Sequence, residues 1–157
     1  MNIASTQYTL EIKSLEIYVA GCNASPHCPN CHNPESWNFN LGENYDFEYL
    51  LKLENKVKNF DNMIDNIMIM GGEPLDQNKK EIYELFFDIA TSSTLNTKKI
   101  WLFTRYELEN IAKEIKDLCD YIKCGKYIKE LSCDNNIQHG IKLATSNQNI
   151  YKKGIDY

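Results

Sequence analysis

The chain has 157 residues, a size at which one domain buries roughly 70% of the surface its unfolded form exposes, so no staple is needed merely to hold a core together. Hydrophobic residues make up 43% and charged residues 25%, ordinary values that exclude extensive disorder. A formal net charge of -5 without a dense Lys/Arg block argues against nucleic acid or an anionic membrane surface as partner.

No apolar run approaches the length of a membrane span, and MNIASTQYTLEIKSLEIYVAG lacks the basic-then-apolar order of a secretory signal. The expected compartment is the cytoplasm. Thiols stay reduced there, so clustered cysteines read as metal ligands or redox groups rather than as a disulfide framework. Cys119, Cys124 and Cys133 are scattered and read as buried or incidental thiols.

In chain order, Leu15 to Ala20 (LEIYVA) is a short β-rich run that ends at Gly21 and feeds a cysteine-bearing loop. Pro26, Pro29 and Pro34 restrict that loop, which continues to about Tyr45. Asp46 is placed to cap a helix running to about Asn59, with Phe47, Leu50, Leu51, Leu53 and Val57 as its apolar face. Ile64 to Met70 reads as a second strand, broken by Gly71-Gly72. A helix from Asn78 to about Ser92 buries Ile82, Leu85, Phe86 and Ile89. Lys99 to Thr104 is a third strand, Tyr106 to about Leu118 a third helix, and Asp120 to Lys123 the start of a fourth strand. Beyond Gly125 the pattern weakens, with Lys126 to Leu131 as a short turn or strand. No repeat or linker divides the chain, so residues 1–157 are expected to form one domain.

Alternating strands and helices imply parallel β-α-β crossovers and an α/β fold. Ligands of such sheets sit beyond the C-terminal ends of the strands. The cysteine loop, Gly71-Gly72-Glu73-Pro74 and Thr104-Arg105 each follow an expected strand, so three separated stretches converge on one sheet edge.

"CNASPHCPNC", residues 22 to 31, sets Cys22, Cys28 and Cys31 at C-x5-C-x2-C. A structural zinc site wants four protein ligands, and His27 or His32 could supply the fourth, although no second chelating pair follows. A [4Fe-4S] cluster normally takes four thiolates, so three leave one iron open to oxygen and nitrogen donors. Spacing alone leaves iron–sulfur, zinc and thiol chemistry all open. Two glycines at Gly71-Gly72 expose backbone groups and allow close approach, and the Glu73 carboxylate can accept hydrogen bonds from an ammonium. On its own the same stretch also reads as a turn with a helix-starting acid. It lacks the lysine and spacing of a phosphate loop.

These stretches resemble the radical S-adenosylmethionine enzymes, and within them the activating enzymes of anaerobic ribonucleotide reductase. "GCNASPHCPNCHNPESWNF" resembles that family's cysteine loop, "IMIMGGEPL" its cofactor strand and turn, and "IWLFTRYELENI" its next strand and helix. "CDYIKCGKYIKEL" and "TSNQNIY" resemble its C-terminal segments.

The resemblance implies a partial (β/α) barrel with a mostly parallel sheet and a [4Fe-4S] cluster on Cys22, Cys28 and Cys31. The fourth iron would bind S-adenosylmethionine, with Gly71, Gly72 and Glu73 receiving its ammonium, Pro74 shaping the turn, and Thr104 and Asn147 near the cofactor. A low-potential donor such as flavodoxin would reduce the cluster. The resulting 5'-deoxyadenosyl radical would take hydrogen from a glycine of anaerobic ribonucleoside-triphosphate reductase, the protein partner. Alternatives are radical chemistry on another glycyl-radical enzyme or a small molecule, and a non-catalytic zinc module.

The sequence departs from the family pattern in several places. Five residues, Asn23 to His27, separate the first two cysteines where three are usual. TQYTLEIKSLE replaces an upstream glycine-rich stretch, Arg105 stands where glycine is frequent, and Cys124-Gly125 replaces Asp-Gly. His32 is placed to pack near the cluster or to lie exposed, and Trp37 and Phe39 to cover it or fill core. Trp101 reads as structural. Lys98, Lys99 and Arg105 read as a solvated face or a contact for an acidic partner.

Overall fold

The computed structural model describes residues 1–157. Its elements in chain order are β1 (Asn2–Thr9), β2 (Ser14–Val19), β3 (Glu43–Asn44), α1 (Phe47–Asn59), β4 (Asn66–Gly71), α2 (Lys79–Thr91), β5 (Lys99–Phe103), α3 (Lys113–Lys116), β6 (Tyr121–Cys124), β7 (Ile137–Gln138), β8 (Ile141–Lys142) and β9 (Asn149–Lys152). One seven-stranded sheet has the order β3-β1-β2-β4-β5-β6-β9, and β7-β8 is a separate hairpin. The four central strands β2, β4, β5 and β6 run parallel, while β1, β3 and β9 pair antiparallel at the flanks. The fold is therefore mixed α/β with a mostly parallel sheet. That sheet is open from β3 to β9, and the structure shows no closed sheet.

Each parallel crossover steps one strand further in the same direction, which under the right-handed rule puts all the helices on one face. The packing agrees. Alternate strand residues Leu15, Ile17, Val19, Ile67, Ile69, Ile100, Leu102 and Ile122 share one buried cluster with Leu53 and Val57 of α1, Ile82, Leu85, Phe86 and Ile89 of α2, and Ile115 of α3. On the opposite face Met68, Trp101, Leu143 and Ile150 form a smaller cluster, flanked by Met70, Phe103 and Tyr121. Period-two alternation thus splits each strand between a thick helix-covered core and an inner face overlaid by the C-terminal segment.

Asp46 caps α1 by accepting the Tyr49 N–H at 3.0 Å, and Asn78 caps α2 by accepting the Lys80 N–H at 2.9 Å. The four expected apolar residues of α2 are all buried. The face of α1 differs from expectation: Tyr49, Leu53 and Val57, spaced four apart, form the stripe into the core, whereas Phe47 is 70% and Leu51 42% exposed.

The expected helix from Tyr106 to Leu118 is not continuous. It is a 3-10 turn at Leu108–Asn110 and the single turn α3, separated by extended backbone at Ile111 and Ala112 with ψ of 129° and 137°. Tertiary anchoring overrides local propensity here. The Tyr106 N–H donates to Thr104 Oγ1 at 3.1 Å, and its carbonyl accepts the Gly125 N–H at 3.1 Å, so the start of the segment is tied to its neighbours. No helix is long and apolar enough to cross a membrane.

Candidate functional site

Four parallel strands end on one edge at Val19, Gly71, Phe103 and Cys124, and the segments that follow are sewn together by backbone hydrogen bonds. Gly72 N–H donates to Val19 O at 2.9 Å, Glu73 N–H to Gly21 O at 2.7 Å, and Thr104 N–H to Lys123 O at 2.9 Å. Gly21 N–H donates to Ser36 O at 2.6 Å and Cys22 N–H to Trp37 O at 3.2 Å, which folds the cysteine loop back on itself. The seam needs two glycines side by side. Gly71 has φ of +114°, and a Cβ at Gly72 would lie 2.2 Å from Gly21 O.

Over this edge lies a cleft of about 330 Å³ bordered by Cys22, Cys28, Cys31, Gly71, Gly72, Glu73, Thr104 and Lys123, among others. All three clustered thiols thus face one space, and no other cysteine borders it. No three Cys, His, Asp or Glu side chains converge to hold a single metal ion, whereas a cluster takes each thiolate on a separate iron. Three soft thiolates on one loop otherwise fit an iron–sulfur cluster as a donor set. His27 is engaged elsewhere: its ring stacks on Trp37 at 4.0 Å and its Nε2 lies 3.2 Å from Cys22 O. His32 and Trp37 border the cleft, whereas Phe39 packs against Gly21. Burial pushes the Cys22 thiol above its ordinary pKa, with Asp76 raising it further and Arg105 opposing that rise.

Glu73 is 2% exposed, and its carboxylate serves the fold as the turn reading implies. Oε1 accepts the Leu75 N–H at 3.0 Å and the Thr104 Oγ1–H at 2.6 Å, and Oε2 accepts the Arg105 N–H at 2.8 Å. Burial raises its pKa and those three donors act against the rise. The side chain therefore locks the turn after β4 to the turn after β5. The carbonyl of Gly72 accepts no intramolecular hydrogen bond, so the free acceptor at this turn is backbone.

Thr104 is buried and borders the cleft, and Pro74 is buried at the start of a 3-10 turn, Pro74–Asp76. Asn147 does not border the cleft. Its Nδ2 donates to Lys126 O at 3.0 Å, and its Oδ1 is buried without a partner. The adjacent Gln148 borders the cleft instead, with its Nε2 donating to Gly125 O at 3.2 Å.

Trp101 is structural, stacked on Tyr121 at 4.0 Å with its Nε1–H on Asn66 Oδ1 at 2.9 Å. Lys98 and Lys99 pair with Asp61 and Asp120 at the surface. Arg105 departs from the solvated reading: it borders the cleft and holds Asp76 at 2.9 and 3.1 Å.

Lys123 was not singled out from the sequence, although alternation gives the signal: Ile122 and Cys124 are buried in the core, so Lys123 between them takes the inner face. Its Nζ donates to Gly125 O at 2.8 Å, and burial lowers its pKa to about 8. Because its folded pKa is below the unfolded 10.5, the unfolded chain binds more protons between those values, and this group makes stability rise with pH across that window. Lys123→Met is expected to lose that increment. Melts of both proteins at the two ends of the window check it, and parallel pH dependences would refute it.

Comparison with known proteins gives the class first: residues 13–151 match the family described as "4Fe-4S single cluster domain", and the chain belongs to that family. This favours the cluster over the zinc clip and bears out the resemblance drawn from the motifs. In particular, the chain is similar to the anaerobic ribonucleoside-triphosphate reductase-activating protein of Haemophilus influenzae, 27% identical over 139 residues that cover 87% of this chain and 85% of the relative. The Salmonella typhimurium protein of the same name is 28% identical over 119 residues, covering 73% and 75%. That of Pasteurella multocida is 23% identical over 141 residues, covering 87% and 85%. No solved structure matches the chain.

Proposed function

We propose that this chain is a radical S-adenosylmethionine activase that installs a glycyl radical on an anaerobic ribonucleoside-triphosphate reductase, with flavodoxin or a similar low-potential protein as electron donor. The observation that carries the reading is the meeting of Cys22, Cys28 and Cys31 with Gly71, Gly72 and Glu73 on one cleft, in a chain of a 4Fe-4S family. Bound and reduced, the cluster would supply the electron for reductive cleavage of S-adenosylmethionine, the chemistry from which hydrogen abstraction at a glycine Cα of the partner would follow.

The chain's own residues bind, orient and exclude water. Cys22, Cys28 and Cys31 would hold three irons of the cluster. The Gly72 carbonyl, unengaged within the fold, would receive the methionyl ammonium together with Gly71 and Glu73, while Pro74 and Thr104 hold that turn. Lys123 borders the cleft with one backbone acceptor for its three ammonium hydrogens and would take the carboxylate end. Met70, Phe103 and Trp37 line the cleft with apolar surface that limits water near a radical. Gln148, which borders the cleft, would contact the cofactor in place of Asn147.

The test mixes reduced protein, S-adenosylmethionine and the reductase and looks by electron paramagnetic resonance for a glycine-centred doublet. That doublet on the reductase is expected. Cofactor cleavage without it would move the assignment to another glycyl-radical enzyme or a small molecule, and absence of cleavage would remove the activase reading.

A further inference from the structure

Asp76 stands where three chain segments meet. Its side chain is 3% exposed, and its carboxylate accepts the Asn23 N–H at 2.6 Å, the Tyr106 O–H at 2.7 Å and Arg105 Nη2 at 2.9 and 3.1 Å. Asn23 is the residue immediately after Cys22 and the first of the five that separate Cys22 from Cys28. Cys22 is thereby pinned from both sides, by its own N–H to Trp37 O and by the next N–H to Asp76. The spacer leaves the cleft edge from a fixed point.

Asp76 needs its cation. A buried carboxylate without one carries a large desolvation penalty, and Arg105 supplies the charge while its Nε lies 3.9 Å from Glu73 Oε2. The Arg105 guanidinium also sits 4.4 Å over the Tyr106 ring, which restricts its rotamers. One guanidinium thus faces two buried carboxylates beside the cysteine loop.

We infer that Asp76 and Arg105 form a positioning charge pair that anchors the lengthened cysteine loop at Cys22 and tunes the electron affinity of the cluster held there, an inference that rests on the cluster reading above. A cation near the cluster favours the added electron and an anion disfavours it, so the two members act with opposite sign. A purely structural pair would change cluster loading in the same direction for both variants and would leave the potential of loaded protein unmoved.

The experiment reconstitutes the full chain and its Arg105→Met, Arg105→Lys, Asp76→Asn and double variants without S-adenosylmethionine, then measures iron per chain and midpoint potential, with melts of the metal-free chains. The expected result is a more negative potential for Arg105→Met, a more positive one for Asp76→Asn, an intermediate value for the double variant and near-parental behaviour for Arg105→Lys. Shifts of the same sign, or unchanged potentials in fully loaded variants, would overturn the pair's role. If the unsubstituted chain took up no iron and sulfide, the cluster reading itself would fall, an outcome distinct from parental loading with unmoved potentials.

Discussion

Cys28→Ala is expected to abolish cluster binding and with it all release of 5'-deoxyadenosine from S-adenosylmethionine. Three thiols border the cleft, and no further cysteine does. Two remaining sulfurs cannot hold a cluster that ordinarily takes four. The fold should survive the change. Cys28 is only partly buried, and its recorded role in the loop is its carbonyl, which accepts the Cys31 N–H at 3.2 Å and is retained in alanine. Iron and sulfide analysis, the brown colour and the cleavage assay check the prediction together. Parental iron content and cleavage in the variant would remove Cys28 from the ligand set. Cys133, which does not border the cleft, serves as the control, and Cys133→Ala should retain both.

The second large effect is structural and falls on the seam between the cysteine loop and the glycine turn. In Gly72→Ala the new Cβ would lie 2.2 Å from Gly21 O and 2.8 Å from Ser36 O, both backbone atoms. Neither can swing aside as a side chain would. The same seam carries the Glu73 N–H to Gly21 O and Gly21 N–H to Ser36 O bonds, so relieving the clash lengthens them. Overpacking of this kind costs about 2 to 3 kcal/mol, and displacement of Gly21 moves Cys22, so cluster loading falls as well. Urea denaturation of the metal-free chain measures the first loss and iron analysis the second. A variant with unchanged midpoint and full loading would contradict the close approach.

What the sequence made legible follows from where local signals are strong. The central strands and the first two helices were readable because Leu15 to Ala20, Ile64 to Met70 and Lys99 to Thr104 are apolar runs, and Asp46 and Asn78 are cap residues in front of periodic segments. Their order alone places the cysteines, Gly71-Gly72 and Thr104 on one sheet edge, and the cleft gathers them there. β1 escaped notice because NIASTQYT is polar on one face and has no sharp apolar pattern; it is a strand because β2 offers it an edge. β9 and the β7–β8 hairpin are too short for any periodicity to register.

The third helix failed for a different reason. Helical propensity from Tyr106 to Leu118 competes with the pull of Glu73, Asp76 and Gly125 on its first residues, a tertiary effect with no local trace. The same holds for Asp76, whose carboxylate matters through partners 53 and 29 positions away. The hydrogen bonds by which Glu73 ties the two turns together were not legible in the sequence, because Thr104 and Arg105 reach it from the end of the next strand.

The central claim is that three thiolates hold a cluster whose remaining iron is chelated by the amino-acid end of S-adenosylmethionine. Electron–nuclear double resonance on the reduced, cofactor-loaded chain tests it most directly, using S-adenosylmethionine isotopically labelled at the amino nitrogen and the carboxylate oxygens. The account predicts hyperfine coupling from both labels to the cluster, preserved in a His32→Ala variant. Bound cofactor with no coupling from either label, or coupling to a histidine nitrogen in its place, would contradict it.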